Sequence, residues 1–368
     1  MGPVGWMVVA IGTLIAFGIF QLIYFSVVLR WEDERTVGLE YYGLRPAERD
    51  RFKRALRAHA RFLAPLLRLG GRFIRIDFRK VRFQYRGVSG PSGSCSVGTF
   101  AAAANYQPRP EDVFVATQMK CGTTWMQHIV YEVVGRGRGD LVATGTTLYS
   151  QSCWLEGRKS VSIDRAPLLG GDRPARIIKT HLPAQLCPAD PAARYIYVAR
   201  HPVACFASCV DFVTTNVGSL APGLAAFEAW FTDPDLMWWG TWPAHVAGWW
   251  ARAERDGNVL VVLFEDMKKD LRAVVRQVAA FLGVAPLSDP ELELVAEKCG
   301  FTYMQTHQDL FEMHPPHVLQ ADAAFFVRGT ADRHQDVSTE TRQRIGAWAV
   351  REIGPSTFPL ARAYPDLQ

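Results

Sequence analysis

The chain opens on an uninterrupted apolar run. Between Val4 and Leu29 no side chain is charged, and Thr13, Gln21 and Ser26 are the polar interruptions. At about 1.5 Å of rise per residue, a helix of that length exceeds the ~30 Å hydrocarbon layer, so the run predicts a single tilted transmembrane helix. A cleaved leader is the rival reading, but the run is too long for a leader's apolar core. In addition, no Lys or Arg precedes it and no small-x-small site comes after it before Arg30. Basic residues on its C-terminal flank place the rest of the chain in the cytosol, with the Golgi lumen as the alternative. From Arg51 to Leu69, Phe52, Leu56, Leu63, Leu66 and Leu67 recur near helical spacing among Arg51, Lys53, Arg54, Arg57 and Arg61. That pattern predicts either a basic amphipathic helix on anionic headgroups or a solvated helix packed on the main domain, interrupted at Pro65. Gly87 to Ala104 is rich in Gly, Ser and Ala and predicts a linker or long loop.

Beyond it the period changes. Short β-rich runs at Val113–Thr117, Arg176–Lys179, Tyr195–Ala199 and Val259–Leu263 alternate with helical patterns at Thr123–Val134, Pro202–Thr215 and Lys269–Leu282. Such alternation predicts an α/β fold with a central parallel sheet between helical layers. The expected division is an anchor at 1–30, a basic juxtamembrane segment at 31–86, a linker at 87–110 and a catalytic domain at 111–368.

Composition narrows the class. The 368 residues are 49% hydrophobic and 21% charged, enough for a packed core and incompatible with a disordered or collagen-like chain. Seven Cys stand singly, with no CxxC pair and no Cys/His cluster at zinc spacing, which argues against a disulfide-stapled miniature or a zinc module. The net charge of +5 is uneven: Arg30–Arg86 holds 16 Lys and Arg against 7 Asp and Glu, so the remainder is net acidic.

Between the first strand and its helix lies Lys120-Cys121-Gly122-Thr123-Thr124-Trp125. A strand, a tight turn and a helix N-terminus aim backbone N–H groups and a positive dipole end at an anion; Lys120 adds charge and the two Thr add hydroxyl donors. The hexapeptide reads as a phosphate cradle, or more simply as a Gly-containing turn with a solvated Lys. It is not a Walker A loop, because its Lys precedes the Gly.

The cradle has company. Arg109–Thr117 followed by Lys120–Trp125 resembles the opening strand and 5′-phosphosulfate loop of the sulfotransferase family, its cytosolic branch more than its Golgi branch. Four further blocks come in family order: Lys179-Thr180-His181-Leu182-Pro183; Tyr197–Arg200 with Ser208; Gly240-Thr241-Trp242 through Trp249-Trp250; and Phe264–Lys268 with Phe281-Leu282-Gly283. The resemblance spans about Asn105 to Gly329. It implies a P-loop-like three-layer fold and the donor 3′-phosphoadenosine 5′-phosphosulfate (PAPS), without a metal.

By that resemblance His181 is the general base, with Lys179 beside the transferring sulfonate and Lys120 beside the leaving phosphate. An imidazole, with an ordinary pKa of about 6.5, can accept a proton near neutrality. Lys120, Cys121, Gly122, Thr123, Thr124 and Trp125 would hold the 5′ end. Arg200, Ser208, Arg328 and Gly329 would hold the 3′-phosphate, and Trp125 and Phe301 would sandwich adenine beside Phe264. Trp154, Tyr149 and Phe212 would line the acceptor pocket, suggesting a hydrophobic small-molecule alcohol, phenol or amine. Trp242, Trp249 and Trp250 read as core. The chain departs from the family pattern at Met119, at Cys121, at Phe264 where Tyr is frequent, and after Val327-Arg328-Gly329, where Asp332 and His334 replace Gly and Trp. The expected partners are therefore this acceptor and a bilayer met through residues 4–29, with no nucleic acid. A catalytically inactive nucleotide-binding scaffold and a P-loop nucleotide kinase are the alternative functions.

Overall fold

The computed structural model describes residues 2–35, with side chains to residue 19, and residues 47–51, 54, 58, 65, 69, 73–158, 160–170, 173–311 and 337–367. Most of the basic stretch between Arg51 and Leu69, and both Arg328 and Gly329, lie outside the described residues. The first helix, α1 (Pro3–Arg35), runs 33 residues, and its apolar side chains from Val4 to Ile19 are largely exposed. Another helical run, Pro202–Leu220, is long and apolar enough to cross a membrane. It is instead a core element, with Val203 to Phe206 fully buried.

Five parallel strands form the central sheet: β3 (Asp112–Thr117), β4 (Ser152–Trp154), β5 (Arg176–Thr180), β6 (Arg194–Ala199) and β7 (Val259–Leu263). Their order is β4-β5-β3-β6-β7. The strands read as continuous apolar runs because both faces are covered. Along β3, Phe114 and Ala116 face a core shared with Tyr195, Tyr197 and Trp249. The alternate residues Val113 and Val115 face Met126, Ile129 and Val133 of α3 (Thr123–Val134) on the other side. Each of the seven strands and helices expected beyond the linker is present within two residues, whereas β4 is not among the expected strands. The helix expected from Lys269 starts instead at Leu271, because the Asp270 side chain accepts the Ala273 N–H and caps it. Trp242 and Trp249 are fully buried as core, on a helix that runs from Trp242 to Arg255, whereas Trp250 is half-buried.

The expected linker at 87–110 is not a linker. Strands β1 (Arg82–Tyr85) and β2 (Val88–Pro91) pair as an antiparallel hairpin, turning through Arg86 and Gly87 at φ 48° and 78°. Helix α2 (Val97–Ala104) comes next, closed by a reciprocal Ser96–Thr99 capping box. One of the small residues that suggest flexibility serves close packing: a Cβ on Gly90 would collide with the Phe83 ring and stand 2.8 Å from Phe100.

Candidate active site

Sheet order reverses at β3, which is where α/β folds leave a crevice beyond the C-terminal ends of their strands. The parallel register brings three chain exits level there: Thr117 ends β3, His181 comes directly after β5 and Arg200 directly after β6.

From β3 the chain turns through Gln118–Gly122 into α3. Lys120 takes φ 66° and Gly122 φ 98°. The latter position demands glycine twice over, since a Cβ would also meet the Phe264 ring at 2.7 Å. Gly122 caps α3 without any side-chain hydrogen bond, so the first-turn N–H groups face outward as donors for an anion. Arg200 braces this loop by donating to the Lys120 carbonyl at 2.8 Å, with its guanidinium 4.3 Å over Phe264. The Arg200 Nε is buried and unpartnered, and Ser208 is buried on α4 (Pro202–Val217) with no side-chain hydrogen bond among the described residues. A buried guanidinium with a spare N–H is a donor of the kind a phosphate needs.

Next to the loop, Trp125 donates to the Cys299 carbonyl at 2.8 Å and meets Phe264 edge-on at 5.5 Å. The Lys268 ammonium lies 5.8 Å from the Trp125 ring and 5.6 Å from Phe301, so the two expected adenine-stacking rings share one cation.

His181 is buried and its ring is held from several sides. Its Nδ1 lies 2.9 Å from the Thr117 carbonyl and 3.2 Å from the Thr117 hydroxyl; the carbonyl can only accept, which favours the tautomer with the proton on Nδ1 and the lone pair on Nε2. The His181 backbone N–H donates to Glu156 at 2.8 Å, and its carbonyl accepts from His245 Nε2 at 2.9 Å. The Trp239 ring packs at 4.8 Å. Burial, and then the positive Lys179, push the imidazole pKa well below its usual value, so it stays neutral. Lys179 is itself buried, 4.0 Å over the Trp154 ring and 5.4 Å from Tyr149, and burial lowers its pKa to about 7 against the opposing pull of Glu156. Tyr149 shares a hydrogen bond with Thr124 at 3.1 Å, and Lys120 lies 4.5 Å over Phe212.

The fold thus gathers Lys120–Trp125, Tyr149, Trp154, Lys179, His181, Arg200, Phe212, Phe264 and Phe301 around the C-terminal ends of the central strands, while Ser208 is buried on α4. Sequence reasoning assigned no role to Thr117, Glu156, Trp239, His245 or Lys268. The last two sit inside motifs and were visible there, whereas the Thr117 contact spans 64 residues and leaves no local mark. Among the described residues no group of three or more His, Cys, Asp or Glu is placed to hold a metal, and all seven thiols are buried and unpaired.

The family model described as sulfotransferase domain matches residues 110–349. Sulfotransferase 1C2 of Oryctolagus cuniculus is 26% identical over 257 residues, 67% of this chain and 84% of its own. The 3-alpha-hydroxysteroid sulfotransferase of Cavia porcellus is 30% identical over 204 residues, 54% of this chain and 68% of its own. A solved retinol dehydratase in complex with androsterone and the inactive cofactor PAP superposes with a TM-score of 0.58 at 20% identity, over 80% of this chain and 98% of that one, a likeness of fold.

Proposed function

The chain belongs to the sulfotransferase domain family and is a PAPS-dependent sulfotransferase, and from that premise we propose that His181 acts as general base toward a lipophilic alcohol, phenol or amine. PAPS, when bound, supplies the sulfonate group and a phosphate leaving group. The residues present suit it: an open helix N-terminus at Gly122–Thr124, a glycine where any Cβ would collide, and an Arg200 Nε still lacking a partner.

Each side chain then has one task. His181 Nε2 takes the acceptor proton, while the Thr117 carbonyl holds Nδ1–H and so favours Nε2 as the basic nitrogen. Lys179 and Lys120 offset negative charge that builds on the sulfonate and on the departing phosphate oxygen. Arg200 and Ser208 grip the 3′-phosphate, and Trp125, Phe264 and Phe301 hold the base. The observation that carries this reading is a buried imidazole whose Nδ1 meets the Thr117 carbonyl, in the same chamber as a buried Lys179.

The acceptor class rests on aromatic side chains, Trp154 and Tyr149 around Lys179 and Phe212 under Lys120. It is supported by relatives whose names specify a hydroxysteroid or retinol. The apolar run at residues 4–29 anchors the enzyme in a bilayer with the catalytic domain on the cytosolic side, which suits an acceptor that partitions into lipid. Incubation of the full chain with 35S-labelled PAPS, EDTA and a panel of sterols, retinoids, phenols and lipophilic amines tests the reading. Label transferred to a hydroxyl or amine supports it. PAP binding without transfer to any acceptor points to an inactive scaffold, and phosphate transfer from ATP points to a kinase.

A further inference from the structure

We propose that Gln118 is a positioning residue that ties the phosphate loop to the aromatic wall over His181. The proposal rests on the reading of His181 as catalytic, but its own link is geometric. Gln118 is the first residue after β3 and is fully buried. Its amide nitrogen donates to two backbone carbonyls across the chamber, Trp238 at 3.0 Å and Gly240 at 2.5 Å, while its amide oxygen accepts the neighbouring Met119 N–H. Two carbonyls on one side and an N–H on the other leave a single sensible orientation for the amide.

The residue between those carbonyls is Trp239. It adopts φ 63°, in the left-handed region, and Gly240 beside it sits at 91°. A bulky side chain there costs on the order of 1–2 kcal/mol and persists only where the surroundings hold it. Three hydrogen-bonded holds are present: the Ser89 carbonyl on β2 accepts the Trp239 N–H at 2.7 Å, the Met237 carbonyl accepts the Gly240 N–H at 3.2 Å, and Gln118 clasps the carbonyls just before Trp239 and just after it at Gly240. The indole so placed packs 4.8 Å from His181 and 6.1 Å from Trp154. Movement of the phosphate loop can therefore reach Trp239 through the Gln118 side chain. An apolar residue at 118 would leave the Trp238 and Gly240 carbonyls without these donors and free the turn to relax.

Gln118→Met and Gln118→Leu keep most of the volume and remove the donors, so either variant tests the link in the full chain. With 5-fluorotryptophan incorporated, the 19F resonance that vanishes in Trp239→Phe reports the wall directly, whether or not the protein turns over. The expected result is a shift of that resonance, with the indoles distant from Gln118 unmoved; an unmoved Trp239 signal overturns the proposal. In kinetics, acceptor kcat/KM should fall about 10-fold or more while PAP Kd stays within about threefold. Gln118→Met combined with Trp239→Ala should be no worse than Trp239→Ala alone. Additive losses, or a matching loss of PAP affinity, overturn it. If the wild type transfers no label at all, the catalytic reading fails, and the 19F result still decides whether Gln118 holds Trp239.

Discussion

Lys179 shows how burial tunes a single group. Its pKa is lowered to about 7, first by desolvation, so in the nucleotide-free enzyme the ammonium form is half lost at neutrality. A bound phosphosulfate anion favours the charged form and raises that pKa. At pH 8 nucleotide binding therefore takes up a proton, and affinity falls as pH rises through 7 and above. Calorimetry of PAPS binding, without acceptor, at pH 8 in buffers of different ionisation enthalpy should show that uptake; zero uptake contradicts the placement of Lys179 beside the sulfonate. Arg200 gives a second test. Arg200→Ala should weaken PAP by about 10- to 100-fold, the worth of a charged hydrogen bond, and leave adenosine 5′-phosphate, which has no 3′-phosphate, much less affected. The identities of such residues were readable in the chain because Lys-Thr-His-Leu-Pro and the loop hexapeptide are contiguous. Their settings were not: Glu156 reaches the His181 amide across 25 residues and Thr117 reaches its ring across 64, contacts that only the sheet register creates.

At the scale of elements, the strand–loop–helix unit from β3 to α3 carries the proposed phosphate site. Gly122→Ala should lower thermal stability by a few degrees, since the left-handed φ of 98° costs roughly 1–2 kcal/mol for a side chain. It should also push on Phe264 and weaken PAP by at least about 10-fold. Calorimetric Tm and PAP titration check both, and an unaltered Kd would show that the loop does not approach the nucleotide. The elements of this unit were legible because a parallel strand covered on both faces is a plain apolar run, as Val113 to Thr117 is, and because a helix starting after Gly keeps its 3.6 period. The β1–β2 hairpin and α2 were hidden for the opposite reason. Gly90 and the alanines of α2 carry little pattern, and Gly90 is small because Phe83 and Phe100 press on it.

For the whole molecule, two apolar helices of similar composition have different fates. Pro202–Leu220 packs into the core because the sheet and the Trp-rich face beside it need covering, whereas Val4 to Ile19 of α1 stay exposed and require another apolar environment. Composition alone does not separate the two; what the fold shows is the burial of Pro202–Leu220. We expect the full chain to stay with membranes through alkaline carbonate washing, and a chain lacking residues 1–35 to be released by it; release of the full chain would refute the anchor. The proposed chemistry comes down to one step, in which an imidazole removes the acceptor proton within this chamber. Its most direct test is His181→Ala, with both kcat for sulfonate transfer and PAP Kd measured on the variant. The expected result is a loss in kcat of about 10²- to 10⁴-fold with Kd within about twofold. Transfer at near wild-type rate in that variant would contradict it.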